Sequence, residues 1–287
     1  MKQFFVCSDI HGFYDEWMVS LKEAGFEKNN ENHILIVLGD IFDRGNDPWN
    51  IYLFLKSLPK ERIYLIKGNH EYLLLKLVKR KYPLDIDYYN GTYGTLVSLY
   101  KDPYVEFEKQ LAKNKEQYGS ETVSFQKTMR VFLNAQKRLY NNKKINEIIE
   151  WIRSPQWLNY CEIMNYIFVH SFIPLNNGKY FPYWRNESTL EMWEEATWGC
   201  PYQLYKQGLF DKELNNGKIL VCGHWHTADF YNNLLYKDNP KKQLDFTKEN
   251  PIFVSEEYPG LIGLDTCTAL TKKVNVFVIY EFDKTHK

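Results

Sequence analysis

Short apolar runs rich in β-branched and aromatic residues recur along the chain, and its first seventy residues alternate them with helical patterns. QFFVC (3–7), HILIVL (33–38) and RIYLIK (62–67) are apolar at nearly every position, as expected of strands covered on both faces. Between them, EWMVSLKEAGF (16–26) has a helical period that stops at Gly25. DPWNIYLFLKSL (47–58) opens with Asp47 as N-cap and Pro48 at the first helical position. The order β-α-β-α-β implies parallel strands joined by right-handed crossovers. Further strands are predicted at NYIFV (165–169), KILVC (218–222), PIFV (251–254), GLIGL (260–264) and VNVFVIYEF (274–282).

Residues 72–160 change character. YLLLKLVKR (72–80), SFQKTMRVFLNAQKRLY (124–140) and INEIIEWIR (145–153) are helical patterns, and strand-like runs disappear. The expectation is a single domain over 1–287 whose approximate 72–160 segment is a helical insert or cap. Lys and Arg outnumber Asp and Glu in that segment, which reads as a solvated face. STLE at 188–191 is a capping-box pattern for a helix TLEMWEEATW, and KDNPKKQLDFTKENP (237–251) reads as a surface loop. Lys plus Arg equals Asp plus Glu, at 36 each, so no bulk field draws the chain to nucleic acid or anionic lipid. The five cysteines form no CxxC and read as reduced thiols. With no signal peptide in MKQFFVCSDI and no run of transmembrane length, the expected location is cytoplasmic.

Polar residues gather where the runs stop. QFFVC is followed by SDIHG with Asp9 and His11, and HILIVL by GDIFDRG with Asp40, Asp43 and Arg44. RIYLIK leads to GNHE with Asn69 and His70, NYIFV to His170, and KILVC to GHWH with His224 and His226. Five of the seven histidines stand there; His33 and His286 do not. A lone Asp or His at a strand end more often caps a helix or packs than binds a ligand. Five strands delivering such residues to one edge, where open α/β sheets bind ligands, are hard to explain as capping. Burying them together is costly unless a metal takes their nitrogen and carboxylate lone pairs. On extended backbone, residues two apart share a side, so Asp9 with His11, and His224 with His226, are expected to face one site. Asp9, His11, Asp40, Asn69, His170, His224 and His226 suit two ions with a bridging carboxylate, about 3.5–4 Å apart as in phosphoryl hydrolysis.

SDIHG, GDIFDRG, GNHE, the isolated His170 and GHWH resemble the metallophosphoesterase (calcineurin-like phosphoesterase) superfamily. The form GDxxDRG plus GNHE is most similar to its phosphoprotein-phosphatase branch, which includes bacterial and phage enzymes. LIGLDTCTALTKKVNVFVIYEF (261–282) resembles that branch's closing strands. The resemblance implies a four-layer α/β/β/α sandwich with two mixed sheets. It implies one ion on Asp9, His11, Asp40 and His226, and another on Asp40, Asn69, His170 and His224. Mn is the first expectation, with Fe, Zn and Ni also suited to such ligands. It further implies attack on phosphorus by a metal-bridging water or hydroxide, with His70 protonating the leaving oxygen, Asp43 orienting His70, and Arg44 binding phosphate oxygens. Asp43 and Arg44 could instead form a mutual surface ion pair.

One departure stands out. Relatives often carry a second phosphate-binding Arg in a Trp-x-Arg segment, whereas ATWGCPY (196–202) has Cys200 there, leaving Arg185 as the nearest substitute. The expected function is a dimetal phosphomonoesterase acting on phosphoprotein or a small phosphate ester. A symmetrical dinucleoside tetraphosphatase or phosphodiesterase is the alternative, in which Trp184 and Trp198 could stack a base, although core packing is the first expectation for each. An inactive scaffold of the same fold fits least, because every ligand position is filled.

Overall fold

Every residue of β1 (Gln3–Cys7) except the first is buried, and all five of β2 (His33–Val37) are. That double-sided cover explains their unbroken apolar runs. The structure is a computed structural model that describes residues 1–118, 121–210, 213 and 215–281. Phe282 and His286, which figure in the sequence reading, lie outside the described residues. α1 (Tyr14–Glu23) joins β1 to β2, and α2 (Pro48–Lys56) joins β2 to β3 (Ile63–Ile66). Asp47 caps α2 by accepting from Asn50 N, and Pro48 begins it, as expected. The chain then runs through α3 (Asn69–Arg80), α4 (Asp85–Tyr89), α5 (Thr92–Leu99), α6 (Pro103–Tyr118), α7 (Glu121–Tyr140) and α8 (Lys143–Arg153). It continues with β4 (Trp157–Leu158), β5 (Tyr160–Ile163), β6 (Tyr166–Val169), α9 (Trp184–Glu187), α10 (Leu190–Ala196) and α11 (Pro201–Lys206). β7 (Ile219–Cys222), α12 (Thr227–Phe230), β8 (Leu261–Gly263), α13 (Thr268–Thr271) and β9 (Phe277–Tyr280) complete it.

One sheet has the order β4-β3-β2-β1-β9, with β9 antiparallel to β1 and the other pairs parallel. The other has the order β5-β6-β7-β8, with only β5 antiparallel to its neighbour. Strand alternation divides the side chains between the layers. Phe4, Val6, Ile34, Ile36 and Ile66 meet Phe168, Val221 and Ile262 between the sheets. Phe5, Cys7, Leu35 and Val37 turn outward onto Trp17, Ile51, Leu74 and Ile149. Ile167, Val169, Leu220 and Cys222 do the same onto Trp184, Trp193, Tyr202 and Phe230. The result is the expected helix/sheet/sheet/helix sandwich. No helix among the described residues is long and apolar enough to cross a membrane.

Several local expectations fail for identifiable reasons. β4 and β5 have no counterpart in the sequence reading, because WLNYCEI is short and broken by Asn159 and Glu162. PIFV contributes only the bridge Phe253 to Gly263 rather than a strand, and its Pro251 has no N–H to donate. α10 is capped by Thr189, which accepts from Met192 N at 3.3 Å. Ser188 is instead spent on α9, donating to Trp184 O at 2.6 Å. α3 starts at Asn69, ahead of the apolar pattern from Tyr72, which changes the geometry of the site.

Candidate metal centre

Phe5 pairs with Leu35 and Cys7 with Val37, so β1 and β2 end level and deliver their loops to the same point. Asp9 N donates to Gly39 O at 3.2 Å and His11 N to Asp40 O at 2.9 Å, tying the loops together. The backbone there is not extended. Asp9, His11, Asp40, Asp43, Arg44 and His224 have φ of 53, 50, 52, 72, 63 and 68°. Left-handed non-glycine residues cost about 1–3 kcal/mol each and persist only where their surroundings fix them. The expected two-residue periodicity is therefore not what gathers these side chains; tight left-handed turns do.

Asp9, His11, Asp40, Asn69, His70 and His170 are all buried at this edge, with His224 partly so. Two groups of donor atoms lie within 4.8 Å of one another: His11, Asp40 and His70, and Asp40, His170 and His224. Asp40 belongs to both. Its Oδ2 is 3.5 Å from His170 Nε2, 3.8 Å from His70 Nε2 and 3.9 Å from His11 Nε2. Asn69 Oδ1 lies 2.9 Å from His170 Nε2. Asp9 stands beside the first group, with Oδ1 3.9 Å from His11 Nε2 and Oδ2 accepting from His224 N and the Ser8 hydroxyl. His226 is set apart: its Nδ1 is 3.7 Å from Asp229 and its ring stacks on Phe246 at 5.1 Å.

The donor set fits metal. His170 Nδ1 lies 2.6 Å from Leu38 O and His11 Nδ1 3.0 Å from Phe42 O, so both Nδ1 atoms donate to carbonyls and both Nε2 lone pairs face the cluster. Bare His170 Nε2 faces only acceptor-capable neighbours: Asn69 Oδ1, Asp40 Oδ2 and, at 3.3 Å, His224 Nδ1. A cation is the natural partner for such a cluster. Electrostatics agree. Burial alone would raise Asp40, but the imidazoles of His170, His70, His11 and His224 outweigh it and hold the carboxyl below its usual range. Burial, with His170 beside it, drives His224 down to about 3, and burial with Arg44 drives His226 down to about 4, keeping both neutral.

His70 differs from the ligand-like histidines. It is the second residue of α3 rather than part of an extended segment. Its Nδ1 donates to Asp43 Oδ2 at 2.6 Å. Burial and Arg44 push its pKa down, yet the carboxylates of Asp40 and Asp43 win and lift it to about 9. Asp43 is completely buried and bonds to His70, Thr92 and Thr95, so the surface ion pair with Arg44 does not exist. The exposed Arg44 reaches over the cluster instead, 2.9 Å from His11 Nε2 and 3.3 Å from His70 Nε2. Arg185 is not brought here: it pairs with Glu162 and lies 4.2 Å over the Trp184 ring. Trp184 is fully buried in the core, whereas Trp198 is 43% exposed with its ring 6.1 Å from that of His224.

Sequence reasoning missed Glu71, although it sits within the quoted GNHE. Its buried carboxylate accepts from Gly68 N at 2.8 Å, Asp40 N at 2.9 Å and Ile41 N at 3.0 Å, clamping the second loop to α3. Burial and Asp40 raise it to about 7 against those three bonds. A Glu three residues after a helix N-cap was the available signal. Gly68 is required for this approach, because a Cβ there would collide with Asp40 Oδ1. Glu71→Gln turns an amide N–H towards a backbone donor. It should cost about 2–3 kcal/mol of stability by urea unfolding and lower metal content; an unchanged midpoint would show that the clamp carries no weight.

The calcineurin-like phosphoesterase family model matches residues 2–228. A symmetrical bis(5'-nucleosyl)-tetraphosphatase of Buchnera aphidicola is 36% identical over 75 residues, 26% of this chain and 26% of that protein. The serine/threonine-protein phosphatase ppe1 of Schizosaccharomyces pombe is 39% identical over 70 residues, 23% and 22% of the two chains. The chain thus aligns with about a quarter of the length of such curated relatives. The crystal structure of a cold-active protein-tyrosine phosphatase from a psychrophilic Shewanella has a TM-score of 0.51 at 14% identity, covering 98% of this chain and 76% of the other. That likeness concerns the fold.

Proposed function

From the premise that this chain belongs to the calcineurin-like phosphoesterase family, we propose that it is a hydrolase using two divalent metal ions to cleave phosphate monoesters, on protein or on a small molecule. The observation that carries the reading is Asp40, whose buried carboxylate is shared by two groups of converging donors. Asp9, His11, Asp40 and His226 would hold one ion, and Asp40, Asn69, His170 and His224 the other; His226 has to turn from Asp229 to join. Mn is the first choice of metal, and the proposed location is the cytoplasm, where the free cysteines stay reduced. When bound, the ions would lower the pKa of a water and neutralise charge building on the phosphoryl group. Arg44, already poised over the cluster, binds the phosphate oxygens through its guanidinium fork. Asp43 holds His70 by Nδ1, leaving Nε2 to pass a proton to the departing oxygen.

Cleavage of a dinucleoside tetraphosphate is the second reading, favoured by exposed Trp198 beside His224 and by similarity to a tetraphosphatase. p-Nitrophenyl phosphate, bis-p-nitrophenyl phosphate and diadenosine tetraphosphate, each with Mn²⁺, separate the readings. Turnover of the monoester above the other two is expected. Preference for diadenosine tetraphosphate favours the second reading, and turnover of none would mark a scaffold. Arg44→Ala should weaken inhibition by free phosphate about 10–100-fold at unchanged metal content, the size of a lost charge-assisted contact. An unaltered inhibition constant would remove Arg44 from the phosphate site.

A further inference from the structure

The helical segment between β3 and β4 reaches into the site through α5. The fully buried Asp43 carboxylate accepts from Thr92 Oγ1 at 2.7 Å on Oδ2, the oxygen that also meets His70, and from Thr95 Oγ1 at 2.6 Å on Oδ1. Thr95 Oγ1 in turn accepts from Asp43 N at 2.9 Å, closing a ring around a residue with left-handed φ of 72°. The two threonines are three residues apart on a helix and so share one face. Both are buried, and Leu96 and Leu99 pack α5 into the core behind them. The approach depends on Gly91, at φ 84°, where a Cβ would stand 2.7 Å from Arg44 N.

We propose that Thr92 and Thr95 are positioning residues that fix the Asp43 carboxylate in the orientation from which it accepts the His70 Nδ1–H, making α5 part of the catalytic apparatus. The proposal rests on the reading of His70 as proton donor to the leaving group. A buried carboxylate with His70 as its remaining side-chain partner is under-satisfied and free to rotate about its last torsion. His70 Nε2 then loses its aim at the leaving oxygen. Hydroxyls that only fill space or stabilise the helix would affect all substrates alike.

Thr92→Val, Thr95→Val and the double variant remove the donors at nearly constant shape; the matching Ser variants restore them. Two measurements decide, both on the metal-loaded full chain, with diamagnetic Zn²⁺ in place of paramagnetic Mn²⁺ for the second. The first is turnover of a phosphoserine peptide against p-nitrophenyl phosphate, whose leaving group needs no proton. Each valine should cost about tenfold on the peptide, the size of one charge-assisted hydrogen bond, and under about threefold on p-nitrophenyl phosphate. Serine should recover most of the loss. The second is the hydrogen-bonded Nδ1 proton of His70, read in ¹⁵N-histidine-labelled protein by NMR. Its downfield resonance should move upfield or broaden in the valine variants and return with serine. Should the double variant unfold, Thr92→Val alone decides, because Thr95 still holds Asp43 N and Oδ1. Valine variants with an unchanged resonance, or with equal losses on both substrates, overturn the proposal. A resonance that moves as expected in a protein that cleaves no phosphate ester upholds the positioning role and removes the esterase reading.

Discussion

Replacing Asp40 by Asn is expected to reduce turnover at least about 10³-fold, the upper range for loss of one preorganised electrostatic group, and more than replacement of any other proposed ligand. Asn keeps the shape and can still accept from His70 N, as Asp40 Oδ1 does at 3.0 Å. It loses the charge and puts an amide where Oδ2 now faces His170, His70 and His11. Because Asp40 belongs to both donor groups, the substitution should empty or weaken both positions. Asn69→Ala and His226→Asn should each affect one. Metal analysis alongside turnover checks this; two tightly bound ions with normal activity in Asp40→Asn would end the assignment.

His70→Asn should lose about 10²–10⁴-fold on an alkyl phosphate such as a phosphoserine peptide, the usual worth of general acid catalysis, while retaining metal. The loss on p-nitrophenyl phosphate should be far smaller. His70 and Asn69 are the first residues of α3, and the helical turn separates their side chains. What marks His70 is its Nδ1 bond to buried Asp43, which fixes the ring in the orientation proposed for proton donation. His70 also stands with His11 and Asp40 in a possible metal group. Metal lost from His70→Asn would therefore make it a ligand, and equal losses on both substrates would make it a charge rather than an acid.

β1, β2, β3, β6 and β7 were legible because burial on both faces writes an unbroken apolar run, and Asp or His follows each run where the loops converge. β5 was not, since its Glu162 turns to Arg185 and Lys218 and breaks the pattern. The same ion pair explains why Arg185 could not be placed from sequence. Nothing local to Thr92 or Thr95 announces a role: they meet Asp43 across 49 and 52 residues of chain, and only packing of α5 brings them there. The left-handed turns at Asp9, Asp40 and His224 were equally invisible, since none of the three is glycine. Residue types and strand ends were readable; the conformations and supporting contacts that aim them were not.

Asp40 is proposed to join two metal positions in one catalytic site. Stoichiometric titration of the metal-stripped chain with Mn²⁺, following bound metal and p-nitrophenyl phosphate turnover in the same samples, tests it most directly. Saturation at two ions per chain is expected, with activity appearing only as the second position fills. Full activity at one ion, or turnover that persists in the stripped protein, would contradict it.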